Sequence, residues 1–158
     1  MNILFVGDIV GRAGRRAVRI FLDDIKAEFD IDFVIANGEN SAGGFGITKK
    51  VAAELYGYGI DFFTMGNHTW DNKDIFKFID EESRLIRPLN FPEQNPGRGW
   101  QTIELNSKKI TIVNLIGQVY MQGNDSPYHK FMDLYPEIKD SDIILVDFHA
   151  EATGEKMA

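Results

Sequence analysis

FFTMGNHTWD, residues 62–71, carries an apolar, strand-like run into a glycine and then sets an asparagine beside a histidine. Burying a strand calls for neither side chain. The same arrangement recurs along the chain: ILFVG delivers Asp8, FVIANG delivers Glu39 and Asn40, and IILVDF delivers His149. Asp8, Glu39 and Asn67 follow one another at roughly 30 residues, about one βαβ unit each. In open α/β sheets ligands bind outside the carboxyl ends of the strands. The expectation is therefore that four strands of one sheet bring these groups to a common edge.

The segments between these strands support that reading. Val18, Phe21, Leu22, Ile25 and Phe29 recur at helical spacing among charged residues, which predicts an amphipathic helix. Thr48 is the expected N-cap of a second helix bearing Val51, Leu55 and Tyr58 and ending near Gly57 or Gly59. A short helix capped near Asp71 should carry Ile75, Phe78 and Ile79 on one face. Strands alternating with helices predict right-handed βαβ units and a parallel sheet. The stretch RPLNFPEQNPG (87–97), rich in Pro, reads as a loop, with Arg87 as a solvated side chain. WQTIEL and KITIVNLIG read as a strand pair joined across NSKK (106–109), and a helix is expected around 127–135 before the strand DIILVDFHA (142–150). GDIVGRAG (7–14) is neither a dinucleotide fingerprint nor a P-loop, and its glycines give Asp8 room.

Composition narrows the chemistry. The 158 residues fit one domain, and 44% hydrophobic content is enough for a substantial core. A net charge of −7 disfavours non-specific nucleic-acid binding, since an acidic surface repels phosphate backbones. A small phosphate ligand held through a cation stays compatible with it. With no cysteine, disulfides and thiolate metal sites are excluded. The N-terminus lacks the basic region and cleavage site of a signal peptide, and no apolar run approaches a membrane span. A cytoplasmic protein without membrane association is expected.

Each polar strand end also has an ordinary reading. An Asp after a strand caps helices, Glu39-Asn40 could be turn chemistry, Asn67 could cap the next segment, and a lone His usually forms a structural hydrogen bond. His129, in SPYHKF, reads as a surface or loop residue. Together, however, Asp8, Glu39, Asn40, Asn67, His68 and His149 form a mixed oxygen and nitrogen donor set that suits Mn, Fe or Zn. A carboxylate can bridge two cations in a phosphoryl-displacement site. A histidine beside an amide ligand stands where it could protonate a leaving alkoxide.

GD (7–8), NGEN (37–40), GNH (66–68) and DFHAE (147–151) resemble the motifs of the calcineurin-like metallophosphoesterases, and the whole chain resembles their YmdB-like bacterial phosphodiesterase branch. The resemblance implies an α/β fold, a layered α/β/β/α sandwich, forming a single domain over residues 1–158. It implies a cofactor of two divalent or transition metal ions, Mn or Fe. Asp8 and Asn40 would bind the first, Glu39 would bridge, Asn67 and His149 would bind the second, and His68 would be catalytic, as the leaving-group acid or a transition-state stabiliser. The implied reaction is phosphodiester hydrolysis by a metal-bound hydroxide, with 2′,3′-cyclic nucleotides or other small phosphodiesters as substrates. Substrate-binding residues and a homo-oligomeric state are left open. The family's later G-x-H-x-H loop has no counterpart here, so the domain is expected to be incomplete at its C-terminus. The rival expectation is a non-catalytic protein that binds a nucleotide or partner through a degenerate metal site.

Overall fold

The computed structural model describes residues 1–121 and 123–157. The chain divides into two compact units, Met1–Leu85 and Ile86–Ala158.

The first unit holds strands β1 (Ile3–Val6), β2 (Phe33–Asn37) and β3 (Phe62–Thr64) in one parallel sheet of order β1-β2-β3. Helix α1 (Gly11–Glu28) connects β1 to β2, and α2 (Lys49–Gly57) connects β2 to β3. This is the alternating pattern that the apolar runs predict. Central β2 is buried on both faces, with Val34, Ile35 and Ala36 fully inaccessible, as parallel strands covered by crossover helices should be. Thr48 caps α2 as expected, its hydroxyl accepting from Val51 N at 3.2 Å. The core joins Val18 and Leu22 of α1, Leu55 of α2 and Phe63 of β3 to Ile75, Phe78 and Ile79.

The expected amphipathic helix and the short capped helix after β3 both form, and they differ from expectation in two details. Of the apolar stripe on α1, Val18 and Leu22 are buried, but Phe21 and Phe29 are more than half exposed. The helix lies beside β1, an edge strand, so part of its stripe borders an open groove lined by Leu4, Phe5, Phe21 and Ile25. The segment after β3 is a 3-10 turn, Lys73–Lys77, and its cap is Asn72, whose side chain accepts from Asp74 N at 3.1 Å. Asp71 is engaged elsewhere.

The second unit contains β4 (Trp100–Leu105), β5 (Lys108–Ile116), α3 (Pro127–Ile138), β6 (Ile143–His149) and the short α4 (Thr153–Met157). β4 and β5 form an antiparallel hairpin, and β5 pairs with β6 in parallel, giving the order β4-β5-β6. The hairpin loop is only Asn106-Ser107, both at positive φ (51° and 61°), the twist-compatible two-residue turn. α3 packs Leu134 and Ile138 against Val113 and Leu115. His149 thus ends a strand of a second sheet, and the expectation of four strand ends on one sheet is not met. Two sheets with helices nevertheless match the mixed α/β class that the resemblance implies.

Arg87 is also corrected. It is 6% exposed, not solvated. Its guanidinium donates to the carbonyls of Pro88 (2.8 Å), Leu89 (3.3 Å), Pro96 (3.3 Å) and Asn95 (3.4 Å), and burial pulls its pKa below the ordinary arginine value. The proline-rich loop is folded around this one cation. Arg87→Ala would leave those carbonyls without donors and should destabilise the chain by on the order of 2–3 kcal/mol. Arg87→Lys should recover only part, since an ammonium cannot span four acceptors as a planar guanidinium does. Chemical denaturation of the three proteins checks this. Among the described residues, no helix is long and apolar enough to cross a membrane.

Candidate active site

The first unit gathers five of the six candidate residues at the carboxyl ends of its three strands. Asp8 lies two residues beyond β1, Glu39 and Asn40 just beyond β2, and Asn67 and His68 beyond β3. The loop after β2 is tied down at several points. Ile9 N donates to Asn37 O (3.1 Å), while Gly11 N and Gly44 N both donate to Asn40 O (2.9 and 3.0 Å). Arg15 bonds Ser41 O (2.6 Å) and pairs with Glu54 of α2 (3.2 Å). Gly46, at φ +70°, approaches Asn72 so closely that a Cβ would stand 2.7 Å from the Asn72 Cβ.

Two pairs of side chains result. Asn40 Nδ2 donates to Asp8 Oδ2 at 2.7 Å, which orients both groups and leaves the amide oxygen of Asn40 as its ligand-capable atom. Glu39 is only 1% exposed, and its Oε2 accepts from the backbone N–H of His68 at 2.8 Å. A carboxylate so buried needs compensating donors or cations. His68 is fixed in turn: its Nδ1 lies 2.7 Å from Asp71 Oδ2, and the Phe45 ring meets it edge-on at 5.3 Å between centroids. With Nδ1–H directed at a carboxylate, the ring presents Nε2 for chemistry.

Asp71 is the residue that sequence reasoning missed. Successive turns, Thr69 N to Gly66 O (3.2 Å) and Asp71 N to His68 O (3.3 Å), curl the chain back so that residue 71 meets residue 68. The H-x-x-D spacing of His68 and Asp71 was the available signal, but the acid read as a helix cap. His149 belongs to the second unit, at the carboxyl end of β6. His129 lies in the first turn of α3, its N–H capped by Ser126 Oγ at 3.4 Å.

The donor chemistry bears on a metal. Among the described residues no three His, Cys, Asp or Glu side chains cluster in metal-binding range. The candidate set in the first unit is two carboxylates and two amides, an oxygen-rich shell. Such carboxylate and amide oxygens suit a hard divalent cation.

The family model described as "YmdB-like protein" matches residues 4–158. The chain belongs to the YmdB-like family. A 2′,3′-cyclic-nucleotide 2′-phosphodiesterase from Bacillus subtilis (strain 168) is 45% identical over 159 residues, covering 100% of this chain and 60% of that protein. The crystal structure of a phosphatase from Mycoplasma pneumoniae superposes with a TM-score of 0.92 at 36% identity, over 98% of this chain and 57% of the other. The NAD nucleotidase of Haemophilus influenzae shares the fold at a TM-score of 0.65 and 16% identity, over 98% of this chain and 39% of the other. This YmdB-like chain spans about three fifths of the length of the curated relatives it matches.

Proposed function

We propose that this chain carries active-site residues of a binuclear metal-dependent phosphodiesterase acting on small phosphodiesters, 2′,3′-cyclic nucleotides above all. The observation that carries the reading is the junction of Glu39 and His68. A buried, metal-capable carboxylate accepts the backbone N–H of a histidine whose ring is aimed by Asp71. The phosphodiesterase name of the 45% identical relative supports the substrate class.

In this reading Asp8, Glu39, Asn40 and Asn67 would hold Mn or Fe, Glu39 would be the bridging ligand, and His149 is carried as an imidazole ligand on the DFHAE motif alone. Bound there, divalent cations would supply Lewis acidity toward water and the phosphoryl oxygens. Asn40 keeps the Asp8 carboxylate in one orientation. As an oxygen from water bonds to phosphorus and the P–O bond to the leaving alkoxide breaks, His68 donates the proton on Nε2 to that alkoxide, which becomes a hydroxyl (on the ribose itself for a 2′,3′-cyclic substrate), and Asp71 holds the ring through Nδ1. The test is turnover of 2′,3′-cyclic AMP with and without added Mn²⁺. Metal-dependent release of a phosphomonoester is expected. Nucleotide binding without turnover would overturn the enzyme reading in favour of a binding protein.

A further inference from the structure

The tail of the DFHAEATGEK stretch has no part in the proposed chemistry, yet its glutamate is held by the backbone of another element. Immediately after β5, three consecutive amides face the segment after β6. Gly117 N donates to the carbonyl of His149 at 2.9 Å. Gln118 N donates to Glu155 Oε1 at 2.7 Å, and Val119 N donates to Glu155 Oε2 at 3.2 Å. Each carboxylate oxygen thus takes one backbone N–H, a charge-assisted pair stronger than neutral bonds.

The far side of the same strand end is clamped as well. Asn90, fully buried, accepts Ile116 N through Oδ1 (2.9 Å) and donates to Ile116 O through Nδ2 (2.7 Å). Ile116 is also the register partner of His149 across the parallel β5–β6 pair. Space at the junction is tight: a Cβ on Gly117 would collide with Glu155 Oε2 and come within 2.9 Å of Ala150 Cβ. Gly117 N ties β5's exit directly to His149, and the two amides beside it both end on Glu155.

We propose that Glu155 is a positioning residue, whose carboxylate locks the exit of β5 to the exit of β6 and so fixes the backbone that carries His149. Its functional meaning rests on the reading of His149 as a ligand, but the lock itself does not.

Amide hydrogen exchange at residues 117–119, read by NMR, separates the two. In Glu155→Ala the Gln118 and Val119 amides should exchange at least about tenfold faster, having lost a charged acceptor. Gly117, which makes no bond to Glu155, should accelerate several-fold because its partner carbonyl is no longer held. Glu155→Gln keeps one acceptor oxygen and should restore part of the protection. Gly117→Ala should reproduce the loss by displacing the carboxylate, whereas Glu137→Gln, exposed on α3, should change nothing. Unchanged Gly117 exchange in Glu155→Ala would overturn the proposal. Titration with Mn²⁺ alone then tests the link to the site. Glu155→Ala should bind about 10–100-fold more weakly, the usual cost of losing a supporting partner, and His149→Ala more weakly still. Wild-type Mn²⁺ affinity in Glu155→Ala beside weakened His149→Ala would also overturn positioning. Wild-type affinity in His149→Ala would remove the ligand reading, leaving the exchange data to decide the lock.

Discussion

Glu39→Gln should lose bound metal and phosphodiester turnover together. The carboxylate is 1% exposed and takes the His68 N–H on one oxygen. Glutamine keeps an acceptor of nearly the same shape, so that hydrogen bond and the fold should both survive. What it loses is the negative charge and the second anionic oxygen, which a bridging position requires. Partners that only orient a ligand typically cost about 10–100-fold in metal affinity when removed, and a bridging ligand should exceed that range. Glu93→Gln is the matched control. Glu93 is exposed and pairs with Lys130 at 2.9 Å, a surface ion pair of the kind that contributes little. Elemental analysis and turnover of bis-p-nitrophenyl phosphate with Mn²⁺ decide the matter. Full metal occupancy in purified Glu39→Gln would remove the bridging role.

The parts of this molecule legible in the sequence are those set by local pattern. Apolar runs located β1, β2 and β3, and Thr48 marked the start of α2, because strand period, helix period and capping act over a few residues. The first-unit candidates were legible for the same reason: each sits directly after an apolar run. Pairing was harder. β6 looks like β1 or β2 as a string of residues, and nothing within it says that its neighbour is the second strand of a hairpin. That information lies in the non-local register of Ile110–Ile116 with Ile143–His149.

Side-chain partners were the other blind spot. Arg87 looked solvated because an arginine in a proline-rich loop usually faces water, yet this loop turns the carbonyls of Pro88, Leu89, Asn95 and Pro96 toward its guanidinium. Asp71 looked like a cap because an acid ahead of a helical segment usually is one. The neighbouring Asn72 fills that role, which leaves the Asp71 carboxylate for His68. In each case the residue type was compatible with two partners, and tertiary geometry chose between them.

That choice yields the second large prediction. His68→Ala should cut turnover of poor-leaving-group diesters by about 10²–10⁴-fold, the usual contribution of a general acid. Metal content should stay nearly intact, because the bond His68 makes to Glu39 runs through its backbone N–H and survives loss of the ring. Asp71→Ala should act in the same direction but less strongly, about 10–100-fold, since the imidazole remains and only its aim is lost. Both deficits should shrink for substrates that release p-nitrophenolate, whose departing oxygen needs no proton. The signature is therefore a slope: the losses in His68→Ala and Asp71→Ala should grow together as the leaving group becomes more basic. Equal losses for good and poor leaving groups would count against proton donation and assign His68 to charge stabilisation. Loss of metal in Asp71→Ala would instead show that the pair supports the ligands and not the leaving group.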